Sequence, residues 1–135
     1  MSPGYDKEDD MQKKVIATDK APGAIGPYSQ GIHAGSFAFV SGQLGIDPAT
    51  GALADGVKAQ AERAMKNLQA VCQAAGGTLE SIVKTTIFLK DMADFPTVNE
   101  VYGAYFTGDK PARSTIAVAG LPKGGLVEIE AILSL

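Results

Sequence analysis

The sequence has no tryptophan, one cysteine and one histidine among its 135 residues. A single cysteine cannot form a disulfide within the chain, which is typical of a protein from a reducing compartment. No apolar stretch approaches the ~20 residues that span a bilayer, and the charged N-terminal segment has no apolar run of the kind found in a secretory signal. These scarcities predict a soluble, cytoplasmic protein without a membrane anchor.

The scarcity of histidine and cysteine also limits the chemistry open to the chain. A Ser-His-Asp triad could be built only around His33, and a zinc site would have to combine His33 and Cys72 with carboxylates. We interpret His33 as a structural residue of a short strand, and Cys72 as a small core residue rather than a nucleophile. The sequence has no Gly-rich phosphate loop and no convincing metal-ligand cluster, so we expect neither a metal nor an organic cofactor.

The composition is otherwise that of one globular domain, with 45% hydrophobic and 20% charged residues. The net charge of -3 provides no general attraction to a phosphate backbone, so we do not expect nucleic acid as a partner. Residues 1–13 are polar and include Pro3 and Gly4. We predict that they form a flexible extension and that residues 14–135 form the domain.

Hydrophobic periodicity predicts six strands and two helices. The strands are runs of β-branched and aromatic residues over residues 15–17, 32–34, 37–41, 82–89, 114–118 and 127–133. Apolar residues at steps of three and four predict helices over residues 57–75 and about 94–106. Asp55 and Asp94 are the expected N-caps, and Gly76 and Gly77 the expected stop of the first helix. This order favours an α+β fold, a mixed sheet with both helices on one face.

The last predicted strand, VEIEAIL, indicates a subunit interface. Its first, third, fifth and seventh residues are apolar and can meet the helices. The residues between them present Glu128, Glu130 and Ile132 to the other face. Two carboxylates beside an apolar side chain suit neither open solvent nor a dry core, whereas an interface that contains polar clefts accommodates both.

The segment PARST at residues 111–115 contains the strongest candidate for ligand binding. Alternation along a strand places Arg113 and Thr115 on one face and Ile116 on the other. If Ile116 packs under the helices, Arg113 faces the same side of the sheet as Glu128. Its guanidinium could then hold a carboxylate through two parallel hydrogen bonds. The alternative is a cross-strand ion pair of Arg113 with Glu128 or Glu130.

Two short Gly-containing segments near the start form a second candidate cluster, GPYSQ at residues 26–30 and SGQ at residues 41–43. The Tyr28 hydroxyl could donate to a ligand or only to the backbone. Gly42 could allow close approach of a ligand or form a simple bulge.

Taken together, these motifs resemble a known family. GPYSQ, VSGQ, KTTIFLKDMADFPTVNEVY, PARST and VEIEAI follow one another over about residues 14–135. This ordered set resembles the RidA/YjgF family of reactive-intermediate deaminases. The resemblance implies a chorismate-mutase-like fold of the bacillus type that assembles as a homotrimer with clefts between subunits. It also implies cofactor-free hydrolysis of enamines and imines, such as 2-aminoacrylate and 2-imino acids, to 2-keto acids and ammonia.

The resemblance also assigns roles to residues. It implies that Arg113 binds the substrate carboxylate, that Glu128 lies near the attacking water, and that Tyr28 lies in the cleft. Further substrate contacts are implied for Ser41, Gly42, Asn99 and Thr115. Thr115 stands where many deaminase members have cysteine, and the link over residues 106–111 is shorter than in some members. Both departures leave the substrate preference open.

Two other functions fit the same motifs. One is a non-catalytic sensor or regulatory protein that holds a small carboxylate ligand in the same clefts. The other is an endoribonuclease or translation inhibitor, an activity attached to some relatives. The acidic balance and the scattered basic residues weigh against RNA as the substrate.

Overall fold

The computed structural model describes residues 12–135, so the predicted extension over residues 1–13 lies outside them apart from its last two residues. Six strands form one sheet in the order β1-β2-β3-β6-β4-β5. Their bounds are Lys14–Ile16 (β1), Gly31–Ala34 (β2), Phe37–Leu44 (β3), Ile82–Leu89 (β4), Ala112–Ala117 (β5) and Val127–Ser134 (β6). All neighbours are antiparallel except β4 and β5, which are parallel. The predicted mixed sheet is confirmed.

The two helices are Val57–Ala74 (α1) and Phe95–Ala104 (α2). Helix α1 packs against β3, β6 and α2, which confirms the predicted α+β arrangement. Within residues 12–135, neither helix is long and apolar enough to cross a membrane. The largest fully buried apolar side chains come from the apolar stripe of α1, the inner faces of β4 and β6, and α2: Met65, Leu68, Val71, Ile87, Leu89, Val98, Val127, Ile129 and Leu133.

The prediction that Asp55 and Asp94 cap the two helices with their side chains is wrong. Gly56, not Asp55, occupies the N-cap of α1, and no side chain caps that helix. Asp94 does occupy the N-cap position of α2, but its side chain makes no capping hydrogen bond. The carboxylate of Asp91 instead accepts from the backbone N–H of Ala93 at 2.9 Å and caps a short 3-10 turn that leads into α2. The capping carboxylate is therefore Asp91 and not Asp94, because the 3-10 turn that precedes α2 begins three residues before the helix.

The single histidine and the single cysteine are structural, as predicted. His33 Nε2 donates to the carbonyl oxygen of Ala75 at 2.8 Å, which ties β2 to the end of α1. Gly76 follows with φ of 92°, the left-handed stop expected there. Cys72 is fully buried in α1, and burial raises the pKa of its thiol to about 12. A thiol with such a pKa supplies almost no thiolate at neutral pH.

The expectation that Arg113 and Glu128 face the same side of the sheet is wrong. Arg113 pairs with Thr85 of β4, and Thr85 in turn pairs with Ala131 of β6. Thr85 and Ala131 are both buried beneath the helices, so Arg113 shares the helix-covered face. Glu128 lies three positions before Ala131 along β6 and therefore points to the open face. Ile116 also lies on the open face and is 47% exposed.

Several apolar side chains lie on the open face of the sheet, which explains the error. Phe37 is 46% exposed there and Phe39 is 44% exposed, and Phe39 pairs with the partly buried Ile132 of β6. The prediction depended on Ile116 packing under the helices, an assumption that holds only where the second face of a sheet is polar. An apolar second face indicates that another surface covers it.

Candidate functional site

Arg113 is held against one face of α2. Its Nη1 donates to Asn99 Oδ1 at 2.7 Å. The guanidinium carbon lies 5.4 Å from the centroid of the Phe95 ring and 5.1 Å from that of Tyr102, within the range of cation–π contacts. These three contacts come from positions i, i+4 and i+7 of the helix, which lie on one face. The structure thus brings together Arg113 and Asn99, two of the predicted site residues.

A cavity of about 410 Å³ opens beside this arginine. Its lining includes two cationic side chains and no carboxylate: Asn99, Tyr102, Gly103, Lys110, Pro111 and Arg113. Lys110 Nζ donates to the Phe106 carbonyl oxygen at 2.7 Å, at the end of α2. A concave surface lined by positive charge favours a small anionic ligand.

The alternative ion pair of Arg113 with Glu128 or Glu130 is not observed. The two carboxylates lie on the opposite face of the sheet, and the salt bridge found within residues 12–135 joins Arg63 to Asp47 at 3.6 Å. No group of three or more His, Cys, Asp or Glu side chains in the same range could hold a metal ion. The charge of Arg113 is therefore not neutralised by any carboxylate of the described chain.

Tyr102 connects the arginine to the core. Its hydroxyl lies 2.8 Å from Thr85 Oγ1, and both residues are buried. Burial raises the pKa of Tyr102, an effect that the hydrogen bond with Thr85 and the charge of Arg113 partly offset. From the sequence, the apolar spacing along α2 assigns Phe95 and Tyr102 only to a buried helix face. Their spacing from Asn99 was the signal that could have identified all three as neighbours of one ligand-binding side chain.

Thr115 follows Arg113 by two residues and lies on the same face of β5. Its Oγ1 is buried and has no hydrogen-bond partner within the described part of the chain. Thr115 does not line the cavity beside Arg113. Its predicted contact with substrate stays a prediction.

Glu128 is the centre of a second group of predicted site residues. It packs directly over Gly42, where a Cβ would lie 2.7 Å from Glu128 Cδ. Burial raises the pKa of Glu128, and the nearby Glu130 carboxylate raises it further. The carboxyl group is therefore protonated more readily than an exposed glutamate, as befits a group that exchanges protons with water.

Ser41 links Glu128 and Gly42 to the tyrosine loop. Its hydroxyl donates to the Ser29 carbonyl oxygen at 2.5 Å. Tyr28, the residue before Ser29, is 53% exposed. Tyr28, Ser41, Gly42 and Glu128 thus belong to one continuous region.

Gln30 holds the chain that leads into this loop, a role that sequence reasoning missed. Its Nε2 donates to the carbonyl oxygens of Thr18 and Pro22 at 3.0 and 2.8 Å, and its Oε1 accepts from the Thr18 N–H at 2.7 Å. Gln30 is 5% exposed, and its hydrogen bonds satisfy polar backbone groups that water reaches poorly. GPYSQ therefore contains a structural glutamine beside the candidate tyrosine.

The predicted site residues thus form two separate groups in one chain. The first is built on α2 and the helix-covered face of β5, and the second on the open face of β6 and the adjoining loop. Their members are Asn99, Arg113 and Thr115 in the first group, and Tyr28, Ser41, Gly42 and Glu128 in the second.

The contact between Gly42 and Glu128 leads to a first prediction. In Gly42→Ala the new Cβ would displace the Glu128 side chain. We therefore expect kcat/KM of the reaction at this site to fall about tenfold or more. The fold should persist, because the Glu128 side chain can rotate away. The measurement is kcat/KM of purified protein together with its thermal midpoint. Gly120→Ala, which adds a Cβ in open space, is the matched control. Equal activities for the two variants would contradict the assigned contact.

Comparisons with known proteins identify the family of the chain. The family model described as Endoribonuclease L-PSP matches residues 18–134. A mouse protein named 2-iminobutanoate/2-iminopropanoate deaminase is 52% identical over 121 residues, which cover 89% of this chain and 90% of the mouse protein. The crystal structure of RidA from the Antarctic bacterium Psychrobacter sp. superposes with a TM-score of 0.89 at 50% identity, covering 90% of this chain and 99% of that one.

A further structure contains a small ligand. The structure of E. coli TdcF with bound serine has a TM-score of 0.88 and 45% identity, and the match covers 90% of this chain and 98% of that one. The matches extend over nearly the whole of each protein and combine high identity with close structural similarity. This chain therefore belongs to the RidA/YjgF family.

Proposed function

We propose that this protein hydrolyses 2-imino acids to 2-keto acids and ammonia, in the cytoplasm and without a cofactor. The observation that carries the proposal is the guanidinium of Arg113, which lies beside a cavity and is not neutralised by any carboxylate of residues 12–135. The printed name of the mouse relative, 2-iminobutanoate/2-iminopropanoate deaminase, supports this substrate class. The single, buried cysteine is compatible with a reducing compartment.

The reaction requires modest chemistry. Water adds to the carbon of the protonated C=N bond and loses a proton, which yields a carbinolamine. The carbinolamine nitrogen takes up a proton and the C–N bond breaks; ammonia leaves as the hydroxyl group loses its proton to water and the C=O bond forms. Arg113 would bind the substrate carboxylate through two hydrogen bonds and so fix the imine carbon relative to the water. Glu128 would accept the proton of the water and later return one to the leaving nitrogen.

The separation of the two groups supports a site formed between subunits. Arg113 lies on the helix-covered face of the edge strand β5, whereas Glu128 lies on the open face of β6. A single small substrate would reach both if Arg113 of one subunit met Glu128 of its neighbour. We propose that this assembly is a homotrimer, as the family resemblance implies.

The open face of the sheet supports the same assembly. It exposes Phe37, Phe39 and Ile116, and it also contains the partly buried Glu128. Apolar side chains so exposed lower the free energy of association when they are buried between subunits. Each subunit would cover this face of its neighbours and leave the carboxylates at the clefts.

The raised pKa of Glu128 leads to a second prediction. As the pH falls through this raised pKa, Glu128 gains a proton and can no longer accept one from water, so kcat/KM should fall at a higher pH than for an ordinary glutamate. Glu128→Gln should lower kcat about a hundredfold and abolish this acid limb. The measurement is kcat/KM as a function of pH for both proteins. Persistence of the same limb in Glu128→Gln would assign it to another group.

The same shift predicts the effect on stability. The pKa of Glu128 is higher in the folded chain than in the unfolded chain, so the stability associated with its protonated form is lost as the pH rises through the folded value. The glutamine variant stays neutral at every pH. At pH 8 it should therefore resist urea at least as well as the wild type, which separates loss of activity from loss of fold.

The direct test of the proposed function is a turnover assay with freshly generated imines made from several amino acids. We expect release of ammonia and 2-keto acid at a rate above that of the buffer and of the Arg113→Ala variant. Binding of the 2-keto acid without turnover would indicate the carboxylate sensor instead. Cleavage of RNA that is lost in Arg113→Ala, with no imine hydrolysis, would indicate the activity named in the family description.

A further inference from the structure

We propose that Phe95 and Tyr102, the aromatic pair, are positioning residues that hold the Arg113 guanidinium in its ligand-binding orientation. This inference rests on the proposed function, because it assumes that Arg113 binds the carboxylate of the substrate. It gives α2 a role in positioning Arg113 in addition to its packing on the sheet. The aromatic pair would act through Arg113 without touching the substrate's reacting atoms.

The position of Arg113 in the fold creates the need for such a device. Strand β5 is at the edge of the sheet, and its hydrogen-bonded neighbour is β4 alone. An arginine side chain on an edge strand has many rotamers, and ordering them on binding would weaken affinity. A guanidinium that is already held by its surroundings avoids most of that cost.

Helix α2 restrains the guanidinium through two kinds of contact. Asn99 Oδ1 accepts one hydrogen bond in the plane of the guanidinium, at 2.7 Å from Nη1. The rings of Phe95 and Tyr102 lie 5.4 and 5.1 Å from its central carbon. A planar cation packs well against aromatic rings while its edges still donate hydrogen bonds. The N–H groups that do not bind Asn99 would be free to take a carboxylate.

Tyr102 is the more firmly held member of the aromatic pair. Its hydroxyl bonds with Thr85 at 2.8 Å, and its ring centroid lies 4.8 Å from that of Phe106. Thr85 belongs to β4, the parallel neighbour of β5, and it pairs directly with Arg113. The tyrosine ring that contacts the guanidinium is therefore itself fixed to the sheet. Phe95, which is partly exposed, covers the arginine from another position on α2.

Leucine substitutions test the aromatic pair against a matched control. In Tyr102→Leu and Phe95→Leu the cation–π contact is lost, and we expect KM to rise about tenfold while kcat changes less than about twofold. Tyr105→Leu removes another ring at the end of α2, one for which no contact with Arg113 or with the aromatic pair is observed among residues 12–135, so it should lower stability but leave KM unchanged. Tyr102→Phe keeps the ring and should keep most of the affinity. An equal rise in KM for Tyr105→Leu would overturn the proposal.

Equilibrium binding of 2-ketobutanoate separates this inference from the proposed function. The dissociation constant, measured by NMR titration, should rise about tenfold in Phe95→Leu and should not respond further to that change when Arg113 is already alanine. The uncharged 2-ketobutanamide should be insensitive to it. An undiminished effect in the Arg113→Ala background would refute the positioning role. Normal coupling in a protein without imine turnover would refute only the proposed activity.

Discussion

Replacing Arg113 with alanine should lower kcat/KM for imine hydrolysis about a thousandfold, since two charge-assisted hydrogen bonds to the carboxylate are lost. The chain should keep its fold. Arg113 is partly exposed on an edge strand, and the one hydrogen bond that its side chain makes among the described residues goes to the exposed Asn99. The measurements are turnover with 2-iminobutanoate and the urea midpoint at fixed protein concentration. A variant with near-normal turnover would show that Arg113 does not bind the substrate.

The matched control is Arg63→Ala. Arg63 lies on α1 and pairs with Asp47 at 3.6 Å, so the change also removes one guanidinium and one exposed polar contact. We expect it to leave turnover unchanged, because exposed ion pairs contribute little and this one lies outside the cavity. Arg113→Lys refines the test. It keeps the charge but loses the planar fork, so activity between those of wild type and Arg113→Ala would indicate that geometry matters as well as charge.

Mixing two inactive variants should restore activity if the site lies between subunits. Arg113→Ala retains Glu128, and Glu128→Gln retains Arg113. In a mixed trimer, a cleft that takes Arg113 from one variant and Glu128 from the other contains both wild-type residues. A mixed trimer contains two subunits of one variant and one of the other, so about one of its three clefts should be active.

The measurement uses the two variants coexpressed with different tags and purified through both tags in turn. Each variant expressed alone with both tags is the control, and light scattering reports the number of subunits. Activity well above the sum of the two controls would support shared clefts. No recovery in a mixed trimer of confirmed composition would place Arg113 and Glu128 in separate functions, and a stable monomer would contradict the proposed assembly altogether.

Most of the candidate site could be predicted from sequence, but its division into two groups could not. PARST, SGQ and the closing VEIEAI identify Arg113, Gly42 and Glu128 as candidates. Whether Arg113 and Glu128 face each other depends on the register of β5 against β4, which is a long-range property. The sequence shows which residues of a strand share a face. It does not show which of the two faces meets the helices, because a shift of one residue in the strand register exchanges them.

The aromatic pair illustrates a second limit of the sequence. The spacing of Phe95, Asn99 and Tyr102 predicts one helix face, and apolar periodicity assigns that face to the core. In the structure the same face meets a charged side chain from β5. Aromatic rings serve equally well in a core and beneath a guanidinium, so the sequence pattern is the same for both.

The sequence by itself determined the six strands, the two helices, their order and the membership of the family, since these depend on local periodicity and on motifs that are contiguous in the chain. It also indicated structural roles for Cys72, which lies on the apolar stripe of a helix, and for His33 in a short strand, although the partner of His33, the Ala75 carbonyl, is distant in the chain. Only the tertiary structure decided where Arg113 points, what holds it, and that Glu128 lies on the other side of the sheet. Those features depend on strand register and on packing between distant segments, which local sequence does not encode.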